Sequence, residues 1–276
     1  MCGYCGCASS EETARPGHSH EHDHAHGHDG HGHFHGDEPS HEHHHHSHSH
    51  GEDEHRVIEL SRAVLGKNAR LAERARGLFL GKGLTVLNLV SSPGSGKTTL
   101  LEKTVGSLGK DVRSAVIVGD CATDNDARRI RDTGVPAVQV TTGNVCHLDA
   151  HMVLHAIEDL NLGDLDVLFI ENVGNLVCPS AFDLGEDRRV VLTSVTEGED
   201  KPKKYPPIFH DADAVVLTKM DLAEAVDLDR DLAIRNIREV APGARIIELS
   251  AKTGEGMSEW TDYVQEALAS KLAVAV

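Results

Sequence analysis

Nine consecutive residues, Ser91-Ser92-Pro93-Gly94-Ser95-Gly96-Lys97-Thr98-Thr99, restrict the fold more than any other part of this 276-residue chain. They follow the aliphatic run 84–90 and lead into a helical pattern, the strand, loop and helix setting that a phosphate-binding loop requires. Gly94 and Gly96 let backbone N–H groups converge on phosphate oxygens, with Ser95 and Thr99 in the same cradle. Lys97 is expected to reach the β and γ phosphates and the Thr98 hydroxyl to ligate Mg²⁺. Ser91 stands where the GxxxxGK[ST] pattern has its first glycine, a departure that leaves the cradle intact.

Further apolar runs at 115–118, 137–140, 167–170, 190–195, 214–217 and 245–249 alternate with helical patterns such as 126–132 and 227–240, and 257–272 reads as a closing helix. Strands that are apolar at consecutive positions need cover on both faces, so the expected fold is a three-layer α/β P-loop NTPase with a mainly parallel sheet. In front of it, Val57, Leu60, Val64, Leu65, Leu71, Ala72, Ala75 and Leu78 recur at near-helical spacing and suggest an amphipathic lead-in helix. Residues 18–50 hold 16 of the 21 histidines among Gly, Ser, Asp and Glu, with Phe34 as the sole aromatic, and cannot build a core. The expected division is a disordered Cys/His-rich extension at 1–55 and a nucleotide-binding domain at 56–276.

Lys plus Arg number 27 against 44 Asp plus Glu, a net charge of −17, which disfavours nucleic acid as a partner. No apolar run has the length of a membrane span, and Met1 to Ser10 lack the basic start and apolar stretch of an export signal. A cytoplasmic protein without membrane association is expected.

Base recognition is expected at Thr218-Lys219-Met220-Asp221, close to the NKxD signature of GTP-binding proteins, because a carboxylate can accept from both guanine N1–H and N2–H. Thr218 replaces the usual Asn, and its hydroxyl can brace the loop in the amide's place. Ser250-Ala251-Lys252 resembles the loop whose backbone N–H meets guanine O6. Asp120, Asp126 and Glu171 fall at or just after strand ends, where ligands of parallel sheets bind, and are the candidate acids for Mg²⁺ and water. Helix capping is the alternative for Asp124 and Asp126.

Three clusters suggest transition-metal chemistry. Cys2, Cys5 and Cys7 place three thiols within six residues, and the glycines between them leave Ni²⁺ and Zn²⁺ equally open. The histidine tract offers multiple, exchangeable imidazole sites. Inside the domain, Cys146, His147 and His151 precede Cys178 in sequence, and on a helix the two histidines would share a face. His155 is read as a packing or surface residue and Cys121 as a buried, small apolar side chain.

With SSPGSGKTTL, GNVCHLDAHM, FIENVGNLVCP and SVTEGEDKPKKYP in place, the chain resembles the hydrogenase nickel-incorporation GTPases, the HypB family, over essentially its whole length. The resemblance implies a GTPase of the signal-recognition and Min class that dimerises in response to GTP, with Cys146, His147 and Cys178 as a metal site near the dimer interface and His151 as a possible further ligand. It implies GTP, Mg²⁺, Ni²⁺ and Zn²⁺ as bound species, and a maturation partner and the [NiFe] hydrogenase large-subunit precursor as partners. The expected function is GTP-driven nickel delivery. The alternatives are a urease-accessory nickel GTPase, whose Cys-Pro-His contrasts with Val145-Cys146-His147 here, and a nickel or zinc store without a switch.

Overall fold

The computed structural model describes residues 50–109 and 111–274, with side chains described for 58–271 of these. Cys2, Cys5, Cys7 and the histidine tract lie outside the described side chains. The order is α1 (His50–Gly81), β1 (Thr85–Ser91), α2 (Lys97–Leu108), β2 (Ser114–Asp120), α3 (Asn125–Arg131), β3 (Ala137–Thr141), α4 (Ala150–Ala156) and β4 (Val167–Glu171). Then follow β5 (Arg188–Ser194), α5 (Lys201–Lys204), α6 (Pro206–His210), β6 (Ala214–Thr218), α7 (Arg230–Val240), β7 (Arg245–Glu248) and α8 (Met257–Val274).

The seven strands form one parallel sheet in the order β3-β2-β4-β1-β5-β6-β7. Alternate side chains feed two cores, which is why the strands read as unbroken apolar runs. On one face Leu87, Leu89, Val116, Phe169 and Leu192 pack with Leu100 and Leu101 of α2, Ile130 of α3 and Trp260 and Val264 of α8. On the other, Val86, Ile117, Leu168 and Ile170 meet Ala75 and Phe79 of α1 and Val153 of α4. Val90, Val191 and Val215 meet Phe209 of α6 and Ile237 of α7 on that same side. The three-layer α/β fold expected from the sequence is the one observed.

Two element bounds shift for local reasons. The helix expected at 227–240 begins at Arg230, because the Asp229 carboxylate accepts from Leu232 N–H and caps it there. Val195 leaves β5 for a 3-10 turn that starts with a capping box between Ser194 and Glu197.

The lead-in helix is present, but its buried face differs from the expected one. Leu60, Val64 and Leu78 are exposed, and the contact line is Asn68, Ala72, Ala75 and Phe79. Small residues let α1 lie close against the domain, and an amide opens the line at Asn68. Among the described residues, no helix is long and apolar enough to cross a membrane.

Candidate functional site

β1 occupies the middle of the sheet, and the turn that follows it rises at the carboxyl edge, where ligands of open α/β sheets bind. Gly94 and Gly96 have φ of 75° and 97°, values a side chain would strain, so the loop can turn its N–H groups inward. Lys97 is buried and donates from Nζ to Ser91 Oγ at 2.8 Å. The residue that departs from the glycine pattern is therefore the lysine's anchor. Burial lowers the Lys97 pKa, with Glu171, Asp126, Glu197 and Asp120 pulling it back up.

A cavity of about 570 Å³ over this loop is lined by Lys97, Thr98, Thr99, Asp120, Asp126 and Glu171 among others. The structure thus brings the three candidate acids together with the lysine and the threonine. Thr98 Oγ1 donates to Glu171 Oε1 at 2.7 Å, while Glu171 Oε2 is buried without a hydrogen-bond partner. Burial is the main reason the Glu171 carboxyl is pushed up to about 7, against the weaker pull of Lys97 and Thr98. Asp120 accepts from Ala122 N–H and Thr123 Oγ1. Asp124 occupies the cap position of α3 without a side-chain cap bond and instead binds Arg131 at 2.5 Å.

The raised Glu171 pKa has a testable sign. The fold favours the protonated acid, so this contribution to stability is full below about pH 4.5 and is lost as pH rises through about 7. Without nucleotide or Mg²⁺, the melting-midpoint difference between Glu171→Gln and the native protein is expected to widen over that window. Parallel pH curves would remove the burial assignment.

The segments expected to recognise the base adjoin the same loop. A second cavity of about 190 Å³ is lined by Ser95, Gly96, Thr99, Thr218, Lys219, Asp221, Ser250, Ala251 and Lys252. Thr218 Oγ1 donates to Ser95 O at 2.7 Å, and Lys219, at φ 59°, reaches back to donate from Nζ to Gly94 O at 2.7 Å. Asp221 Oδ1 accepts from Ser250 Oγ at 2.6 Å, which fixes the carboxylate plane. Glu197, absent from the sequence-derived set, accepts from Ser95 Oγ at 2.5 Å and pairs with Lys201. Its legible signal was the Ser194-x-x-Glu197 spacing. Arg129, also missed, lines the phosphate cavity and joins Thr99 to Glu102.

The candidate metal cluster lies one loop away. The ligand atoms of Cys146, His147 and Cys178 are all within 4.8 Å of one another, and the two sulfurs are 2.8 Å apart. His147 stacks on Phe182 at 3.8 Å between ring centroids, and its Nδ1 is buried without a partner. Burial lowers its pKa below the ordinary 6.5, with Asp149 opposing, so the ring is neutral and has a lone pair to give. Two sulfurs and one imidazole are a donor set that suits an ion of the Zn²⁺ or Ni²⁺ type, and the sulfurs, each about 2.3 Å from such an ion, would move apart from their 2.8 Å separation to bind it.

Two expectations fail here. His147 and His151 do not share a helix face, because the Asp149 carboxylate caps α4 and leaves His147 in the loop before Ala150. His151 is exposed on α4 and outside the cluster. Cys121 is not a buried apolar filler either. It is partly exposed in the phosphate cavity, with Sγ 3.8 Å from both Val145 O and Thr142 Oγ1. His155 is on the surface beside Glu158.

The two sites share a frame. Asn172, directly after Glu171, is fully buried, accepts from Leu148 N–H at 3.1 Å and donates to Asn88 Oδ1 at 3.3 Å. Leu148 follows His147 in the chain, so the end of β4 touches both the phosphate cavity and the cysteine-histidine loop. Gly174 brings the same segment against the phosphate loop, where a Cβ would lie 3.0 Å from the Pro93 backbone.

Residues 85–248 match the CobW/HypB/UreG nucleotide-binding domain family. The hydrogenase maturation factor HypB of Azotobacter chroococcum is 53% identical over 223 residues, which cover 81% of this chain and 73% of that protein. The crystal structure of the hydrogenase maturation factor HypB from Archaeoglobus fulgidus superposes with a TM-score of 0.70 at 43% identity, covering 74% of this chain and 99% of that one. The crystal structure of HypB from Helicobacter pylori in complex with nickel gives 0.71 at 41% identity, with coverage of 74% and 96%.

Proposed function

The chain belongs to the HypB hydrogenase maturation factors of the CobW/HypB/UreG nucleotide-binding family, and on that premise we propose that it is a GTP-hydrolysing nickel metallochaperone. GTP binding and hydrolysis switch it between states that hold and release Ni²⁺ for a [NiFe] hydrogenase. The observation that carries this reading is the shared frame: one buried side chain, Asn172, joins the strand end bearing Glu171 to the loop bearing His147.

In this reading the guanine enters the smaller cavity and gives N1–H and N2–H to Asp221, while Ala251 N–H meets O6. The triphosphate fills the larger cavity. Lys97 Nζ exchanges Ser91 Oγ for the β and γ oxygens, and the loop N–H groups bind the rest. Thr98 Oγ1 and the unpartnered oxygen of Glu171 are the groups that would hold Mg²⁺, directly or through its water, and the ion would neutralise charge building on the phosphates. Asp120 and Asp126 are left to orient water at the cavity wall.

Nickel is cargo in this scheme. Cys146, His147 and Cys178 receive it, while Zn²⁺ competes for the same donors, and residues 1–55 form a Cys/His-rich store ahead of the 56–276 domain. The crystal structure of the Helicobacter pylori relative in complex with nickel supports nickel as the ion. We place the chain in the cytoplasm as a GTP-dependent homodimer that meets a maturation partner and the hydrogenase large-subunit precursor.

The switch is tested by titrating nickel into the full chain and into a chain lacking residues 1–54, each with GDP or a non-hydrolysable GTP analogue. Coupling energies of this kind are commonly about 1–3 kcal/mol, or roughly 5- to 150-fold in affinity. The shortened chain is expected to retain GTP turnover, to lose most of its nickel stoichiometry, and to show a nucleotide-dependent affinity at the remaining site. Identical affinities in both nucleotide states, with no change in dimer population, would leave only a GTPase that binds metal.

A further inference from the structure

Asn68 is an unusual residue to find on the packed face of α1. It is 5% exposed, it lines up with Ala72, Ala75 and Phe79, and Asn is a poor helix-interior residue because its amide competes for backbone hydrogen bonds. Packing of the helix alone would be served by an aliphatic side chain. The amide instead spans two separate segments: Oδ1 accepts from Ala150 N–H at 2.9 Å, and Nδ2 donates to Asp183 O at 2.8 Å.

Those segments carry the cysteine-histidine cluster. Ala150 opens α4 three positions after His147. Asp183 follows Phe182, the ring stacked on His147, in the stretch that leaves Cys178. The same helix holds the second segment twice more. Arg76 Nη2 makes 2.8 Å bonds to both Asp183 carboxylate oxygens, and Gly185 lies so close that a Cβ there would be 2.7 Å from Ala72 O. Asn68 is thus the α1 side chain that hydrogen-bonds both the segment that supplies Cys146 and His147 and the one that supplies Cys178.

We propose that Asn68 is the positioning residue of this cluster, holding its two ligand-bearing segments close enough for their donors to share a single thiolate- and imidazole-bound metal ion. The proposal rests on the reading of Cys146, His147 and Cys178 as a metal site. Because α1 begins at His50, it also gives the helix that emerges from the histidine-rich segment a direct hold on that site. Loss of a residue that orients metal ligands commonly costs about 10- to 100-fold in metal affinity.

The test uses the full chain carrying Cys2→Ser, Cys5→Ser, Cys7→Ser and Cys121→Ser, so that thiolate-to-metal absorption with Co²⁺ reports on Cys146 and Cys178 alone. In this background Asn68→Ala is expected to weaken Co²⁺ binding by roughly 10- to 100-fold and to change the shape of the thiolate band, while metal-free unfolding stays cooperative. Asn68→Asp has nearly the same volume, keeps the acceptor for Ala150 N–H and loses the donor to Asp183 O. It is expected to weaken binding likewise, and it carries the measurement if the alanine variant does not fold. A folded Asn68 variant with native affinity and band, alongside a Cys146→Ser control that abolishes the band, overturns the positioning role. A band that survives both Cys146→Ser and Cys178→Ser overturns the metal reading, and the positioning role with it.

Discussion

Lys97→Ala is expected to lower GTP turnover by roughly 10²- to 10³-fold, the loss seen when one preorganised charge-stabilising contact is removed from a transition state. The nucleotide-free fold should survive. The Lys97 ammonium is buried against desolvation that lowers its pKa, and its hydrogen bond goes to Ser91 Oγ within the same loop. Truncation removes an expensive buried charge and leaves one hydroxyl to rotate. Single-turnover hydrolysis, with nucleotide binding measured separately, checks it. Turnover within a few-fold of the native protein would mean that Lys97 serves the loop's structure and not the reaction.

Asp221→Asn is expected to exchange base preference, weakening GTP by about 10²-fold or more and admitting xanthosine triphosphate. The carboxylate can accept two guanine N–H groups, and leaving either unmatched costs about 1–3 kcal/mol. In the variant, Oδ1 can still accept from Ser250 Oγ, now at 2.6 Å, so the plane of the side chain is retained. The amide nitrogen then faces the base, where it meets the guanine 2-amino group as donor against donor and the xanthine 2-oxo group as donor against acceptor. Competition between the two triphosphates reads the exchange directly. Equal weakening of both would show that Asp221 braces the Ser250 loop without touching the base.

The nucleotide site was legible in the sequence because parallel strands deliver their carboxyl ends to one edge of the sheet. Asp120, Glu171 and Thr218 could be gathered there from strand ends alone. The cysteine-histidine cluster was legible by residue type but not by geometry. The i, i+4 spacing of His147 and His151 implies a shared face only if the helix already exists at His147, and the Asp149 cap starts it later. Along α1 the large residues Leu60, Val64 and Leu78 carry the periodic signal, yet the close contact is made by small ones. Burial of Ala72 and Ala75 depends on what faces them, here Gly185, more than a hundred residues on. Cys121 was misjudged for the same reason, since Val145 and Thr142 approach it from another loop.

The strand order also governs when these sites come into being as the chain is made. β1 and its phosphate loop leave the ribosome early, yet Thr85 pairs with Val167 and Leu87 with Arg188, so β1 gains its neighbours only after most of the domain has been synthesised. Until then it is an apolar strand with two open edges, the kind of segment that folds slowly and invites association with other chains. Cys146 waits similarly for Cys178, and the phosphate loop waits for Thr218 to brace it through Ser95. A ribosome stalled before Cys178 therefore exposes a chain in which neither candidate site has all its residues. The cysteine-histidine cluster has its last member at Cys178 and the phosphate loop its brace only at Thr218, so a half-made molecule lacks part of both candidate sites.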